Sequence, residues 1–149
     1  MQRLFQTLSS TVLLLCLMAC DGPLVFMPGG ELSGTVADPP ARWQFDEASG
    51  FAQLETRPGD PYSINLAYVQ LGDHLYIYAG NTRTNWVEHI EQDPLVRIGV
   101  DGVIYPLRAV RVSDEHELTE FATQWASRSV FQRDPMQFDE VWLYRLEAR

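Results

Sequence analysis

The sequence predicts a mainly β fold, a small closed β-barrel interrupted by a short and a longer helix. Three observations predict it. Several segments alternate apolar and polar side chains, the mark of a half-buried strand. Short connections rich in Gly, Asp and Pro join them, and connections so short make antiparallel neighbours. One late segment switches to helical spacing. An open sheet of such strands leaves two unpaired edges, and closure into a barrel removes both.

The elements follow in order. Residues 51–56 alternate as a first barrel strand, and Arg57-Pro-Gly-Asp-Pro61 is a turn cluster. Residues 62–70 form a second strand that turns Ile64, Leu66 and Tyr68 inward, and Leu71-Gly72-Asp73 leads into a third over 74–79. A polar loop at 81–85 precedes a short helical turn over 86–92 that Pro94 ends. Residues 95–100 return to strand, and Asp101-Gly102 is a two-residue hairpin signal. The long strand over 103–112 contains Pro106, which marks an edge or a bulge. Ser113 reads as a helix N-cap, with Asp114, Glu115 and Glu117 in the first turn, where the helix dipole favours acids. Leu118, Phe121, Ala122 and Trp125 give that helix one apolar face, and residues 140–146 close the domain as a last strand.

Composition narrows the function classes. With 149 residues, 46% of them hydrophobic and 21% charged, the chain can bury one core of ordinary domain size, which excludes a multi-domain machine and a disordered tail. Twenty acids against 11 basic residues give a formal charge of -9, so nucleic acid is excluded as a partner on electrostatic grounds. All of the basic residues are arginine; there is no lysine. Cys16 and Cys20 both precede the domain, which leaves it without an intrachain disulfide or a thiolate metal cage. His74, His89 and His116 show no zinc-peptidase spacing, so no metal is expected. No Gly-x-Ser-x-Gly elbow and no lysine-bearing phosphate loop exist, and no catalytic residue is assigned.

The N-terminus reads as an address. Arg3 and the free amine start a short basic region, and an apolar run follows over 11–19, shorter than the roughly 20 residues a membrane-spanning helix needs. Its end, Leu17-Met18-Ala19-Cys20, resembles the bacterial lipobox. That resemblance implies cleavage after Ala19, a diacylglyceryl thioether on Cys20 and acylation of the new amine, for example by palmitate. Two or three acyl chains hold firmly, at about 0.8 kcal/mol per buried CH2. The expected location is the bacterial cell envelope, facing the periplasm. Asp21 resembles an inner-membrane retention signal of enteric bacteria, which favours the inner membrane over the outer. The organisation is therefore a signal peptide over 1–19, a tether over 20–40 rich in Pro and Gly with one short strand, and a barrel domain over 41–149.

Three runs in fixed order carry a further resemblance: Gly72-Asp-His-Leu-Tyr-Ile-Tyr-Ala-Gly80, Asn85-Trp-Val-Glu-His-Ile-Glu-Gln-Asp-Pro94, and Val96-Arg-Ile-Gly-Val-Asp-Gly-Val-Ile-Tyr105. Together they look like the pyridoxamine-phosphate-oxidase-like split barrels, and most of all like their deazaflavin (F420)-dependent nitroreductase group. Trp86, Ile90 and Asp93-Pro94 fit that group's spacing. The resemblance implies a split β-barrel of the FMN-binding kind, pairing as a homodimer, with FMN or F420 as cofactor. Carried onto this chain, it makes Arg57, Arg83 and Thr84 the contacts to a cofactor phosphate and Trp86 a stacking wall.

The chain also departs from the group. His89 stands where the group has asparagine, and Arg83 is the sole basic residue in the loop before the tryptophan. A flavin phosphate needs several convergent donors, and one arginine supplies one bidentate contact. The alternative is that Arg57 and Arg83 pair with surface acids. The favoured expectation is thus a membrane-anchored binding module without a cofactor or redox chemistry, its pocket lined by Tyr62, Tyr76, Tyr78, Trp86 and Tyr105 for an apolar ligand or partner segment. The alternative function is a flavin- or F420-dependent reductase passing hydride to a small acceptor.

Overall fold

A computed structural model describes residues 22–24, 27–47, 49–127 and 133–149. The expected signal peptide, Cys20 and Asp21 lie outside the described residues. The chain forms β1 (Thr35–Val36), β2 (Ser49–Thr56), β3 (Tyr62–Leu71), β4 (His74–Gly80), α1 (Asn85–Gln92), β5 (Leu95–Val100), β6 (Val103–Arg111), α2 (Glu115–Ala126), a 3-10 turn (Pro135–Gln137) and β7 (Val141–Ala148).

Strands run in the order β6-β5-β2-β3-β4-β7, and β7 pairs back onto β6, so six antiparallel strands close into a barrel. Alternation fills the interior with Leu54, Leu75, Ile77, Val96, Ile98 and Leu107, all buried. Ile64, Leu66 and Tyr68 turn inward as expected. Asp101 (φ 51) and Gly102 (φ 78) supply the two positive φ angles of a type I′ turn, and Val100 pairs with Val103 across it. α1 closes one end with Trp86, Val87 and Ile90. By the β3–β4 turn at the other end, Trp43 packs edge-on against Tyr105 at 5.1 Å and beside Phe45 at 5.6 Å. A second apolar cluster of Val69, Tyr76, Val112, Phe121 and Leu143 lies outside the barrel, beneath α2.

Two local readings are refined. Asp114, not Ser113, caps α2, because the Asp114 carboxylate accepts the backbone N–H of Glu117 at 2.8 Å. Pro106 interrupts no register against β5; it falls between the stretch of β6 that pairs with β1 and the stretch, from Leu107, that pairs with β7, so it sits at a local edge.

The stretch expected as a tether is bound to the barrel as a strap. The Asn65 amide donates to the Pro23 carbonyl at 3.3 Å, and Gly29 and Ser63 exchange both backbone bonds. The Leu32 N–H donates to buried Glu55, and β1 continues in parallel along β6. Gly34 is required there, since a Cβ would stand 2.7 Å from the Gly102 carbonyl oxygen.

Candidate functional site

α1 follows a polar loop and turns its apolar side chains into the barrel mouth, which leaves its polar ones on two flanks. On the first flank, the Thr56 hydroxyl at the end of β2 lies 3.0 Å from Nδ1 of His89 and 3.3 Å from the Tyr62 carbonyl. The edge of Tyr62 meets the His89 ring at a centroid distance of 4.9 Å. Arg57, with φ 56 in the β2–β3 turn, lies 3.2 Å from Asp60 and 5.8 Å from the Tyr62 ring. Its Nε is buried without a partner. Burial, seconded by the Arg57 charge, holds His89 below the usual imidazole pKa, against Glu88 and Asp60. His89 is therefore neutral at pH 7 and serves as a hydrogen-bonding group there, not a cation.

The second flank is ionic. Arg83 is paired with Glu91, which also lies 3.9 Å from Arg111. The Arg111 guanidinium lies 6.0 Å from the Trp142 ring and 5.5 Å from that of Tyr144, and donates to the Val141 carbonyl at 2.5 Å. Thr84 stands at the N-cap of α1, where its side chain makes no cap bond and its Oγ1 is buried without a partner. Burial pushes the Tyr144 hydroxyl above its usual value, opposed by Arg111.

The structure separates the residues that sequence grouped. Two positions on a helix differ by about 200°, so the residues facing His89 and Glu91 are on different flanks of α1. Arg57 and Arg83 accordingly do not share one cradle, and each is held by a carboxylate. Trp86 is 5% exposed and packs on Tyr144 at 5.9 Å, so it is core and offers no stacking wall. The five aromatic residues line no single pocket. Tyr62, Trp86 and Tyr105 border the interior, whereas Tyr76 and Tyr78 point to the outer face under α2. Strand period two decides this, because Leu75 and Ile77 face inward, opposite Leu146 and Tyr144 of β7. Tyr76 donates to Glu117 at 2.7 Å, and Tyr78 packs on Phe121 and Trp125. Burial pushes the Tyr78 hydroxyl up to about 12.

Arg111 is the functional candidate that sequence reading missed. Its one sequence signal is its place at the end of the long strand, shared with Arg108 three residues earlier. It stands at the mouth of an open cleft of about 440 Å³ whose walls include Leu118, Met136, Phe138, Val141 and Asp139. Of the residues expected to meet a cofactor phosphate, Arg57 pairs with Asp60 and Arg83 with Glu91 at the surface, while Arg57 Nε and Thr84 Oγ1 have no partner. Among the described residues, no cluster of His, Cys, Asp and Glu is arranged to hold a metal ion, and no helix is long and apolar enough to cross a membrane.

No protein-family model matches the chain, and no curated protein does. Solved structures do. The chain is similar to a putative pyridoxamine 5'-phosphate oxidase from Listeria innocua, with 16% identity, a TM-score of 0.52, and 66% of this chain and 83% of that one covered. It is also similar to a FAD-binding protein from Mesorhizobium loti, with 16% identity, a TM-score of 0.45, and 66% and 78% covered. A NimC/NimA family protein from Clostridium acetobutylicum gives 22% identity, a TM-score of 0.46, and 66% and 73% covered. The first likeness shows the fold, a mainly β split barrel of six closed antiparallel strands with two helices, as the sequence predicts.

Proposed function

From a barrel of this kind, we propose that the protein is a lipoprotein, anchored through Cys20 in the bacterial envelope and facing the periplasm, whose barrel binds a small molecule without hydride transfer. One observation carries the absence of flavin chemistry: the two arginines a cofactor phosphate would recruit are held by Asp60 and Glu91, and no lysine exists to replace them. A dianionic phosphate at either arginine would be repelled by the carboxylate already beside it.

Arg111 supports a different ligand. Its guanidinium lines an apolar cleft that also contains Asp139; one N–H is given to the Val141 carbonyl and Glu91 stands 3.9 Å away, which leaves further N–H donors for a ligand. One basic and one acidic group suit an apolar molecule with a single negative charge, its acid toward Arg111 and its chain along Leu118, Met136 and Phe138. Calorimetric titration of the purified protein with decanoate, FMN and F420 tests this reading. Decanoate binds saturably and loses tenfold or more in affinity in Arg111→Gln, whereas FMN and F420 show no heat at tens of micromolar. Saturable quenching of flavin fluorescence in that range overturns the reading in favour of a flavin-dependent reductase. Labelled palmitate, incorporated by the natural chain and not by Cys20→Ser, tests the anchor.

A further inference from the structure

The strap is held to the barrel within two residues of Cys20. Gly22 lies beside the Gln53 side chain, and the Pro23 carbonyl is held by Asn65. Two residues reach about 7 Å at most. Acyl chains on Cys20 would therefore bring this face of β2 and β3 against the bilayer, with no slack for the barrel to stand away from it.

That face gathers most of the exposed apolar side chains. Among the described residues, the exposed large hydrophobic side chains are Leu24, Met27, Val36, Phe51 and Met136, and the first four lie on the strap or on the strand it crosses. Phe51 is 84% exposed and points to the same side of β2 as Gln53, two residues on. Leu24 and Met27, 54% and 62% exposed, exchange both backbone bonds and stand at the two ends of the apolar run 24–27 in the sequence. The strap itself is fixed: Glu31 lies 3.1 Å from Arg97, and Arg97 pairs with buried Glu55. Acids border the patch: Asp101 shares a hollow of about 160 Å³ with Phe51, and Asp46 and Glu47 line a neighbouring one with it. An acidic chain with an apolar face suits an uncharged or zwitterionic headgroup layer, not an anionic one.

We propose that the strap side of the barrel is a lipid-facing surface, with Leu24, Met27 and Phe51 seated in the headgroup region of a zwitterionic bilayer. The inference rests on the lipidation of Cys20 proposed above. α2 packs over β4, β7 and the end of β3 that carries Val69 and Leu71, away from Ser63 and Asn65, where the strap is bound.

The test uses the mature lipidated protein, whose natural cysteines offer no free thiol, with a single cysteine at Met27→Cys, Phe51→Cys or Thr119→Cys bearing a polarity-sensitive fluorophore. In phosphatidylcholine vesicles, the labels at 27 and 51 shift to the blue and are quenched by brominated lipid, whereas the label at 119 on α2 does neither. Water-like emission at 27 and 51 from protein that has incorporated palmitate overturns the surface and leaves the anchor standing. Absence of palmitate removes both. A blue shift that brominated lipid leaves unquenched and that grows with protein concentration makes a second copy of the chain the occupant, and overturns the proposal too.

Discussion

Glu55 is 3% exposed, yet it accepts Arg97 Nε at 2.7 Å and Nη2 at 2.6 Å, with the Leu32 N–H at 2.7 Å completing its shell. A buried pair contributes little net stability, because desolvation offsets the attraction, but breaking one side strands a charge. Arg97→Met is therefore expected to cost about 3–5 kcal/mol in urea unfolding, and adding Glu55→Gln to it to restore much of that loss. A double variant as unstable as the single one counts against the pairing. His89 gives the second prediction at this scale. Burial and Arg57 lower its pKa in the folded state, so between that value and about 6.5 the unfolded chain binds more protons and stability rises with pH. The protein is expected to lose stability as pH falls through 6.5, and His89→Gln to flatten that loss. Denaturant midpoints at pH 7.5 and 5.5 measure both, and equal slopes in the two proteins refute it.

At the scale of elements, what local chemistry decides was legible in the sequence, and what distant packing decides was not. Asp101-Gly102 announces its own hairpin, since few residue pairs accept two positive φ angles, and Pro94 sets the limit of α1 by itself. The capping residue of α2 was ambiguous because Ser113 and Asp114 are both good caps and adjacent; the helix begins at Glu115, so Asp114 takes the position. Asp114→Ala is expected to cost about 1 kcal/mol and Ser113→Ala under about 0.5 kcal/mol by thermal unfolding, the reverse order restoring the original reading. Tyr76 and Tyr78 show the limit most plainly. Alternation separates them from Leu75 and Ile77, but nothing within β4 says that α2, some forty residues later, covers their side with Phe121. The engagement of Arg57 and Arg83 was open for the same reason in part: Asp60 is a neighbour in sequence, whereas Glu91 reaches Arg83 only once α1 has folded. Proline and glycine in the strap suggested slack, and its hydrogen bonds to β2 and β3 come from residues more than twenty positions away.

The whole molecule has a chemical property that follows from its composition. A protein without lysine carries primary amine only at its N-terminus. If Cys20 is the mature first residue and its amine is acylated, as the lipobox resemblance implies, the finished protein carries none. Purified from membranes, it is expected to take up no label from an N-hydroxysuccinimide ester and to resist amine-directed cross-linking at any concentration. A protein that is cleaved and diacylated but not N-acylated takes one label, and so does an uncleaved chain; mass spectrometry separates the two by the 19 residues preceding Cys20. Cys20→Ser blocks the thioether on which cleavage depends and is expected to restore one labelled amine, on an unlipidated chain that still carries those residues. One label on the natural mature protein removes the third acyl chain, but two still hold the barrel firmly. A labelled, uncleaved natural chain would remove the anchor, and with it the reason for an apolar face beside Gly22.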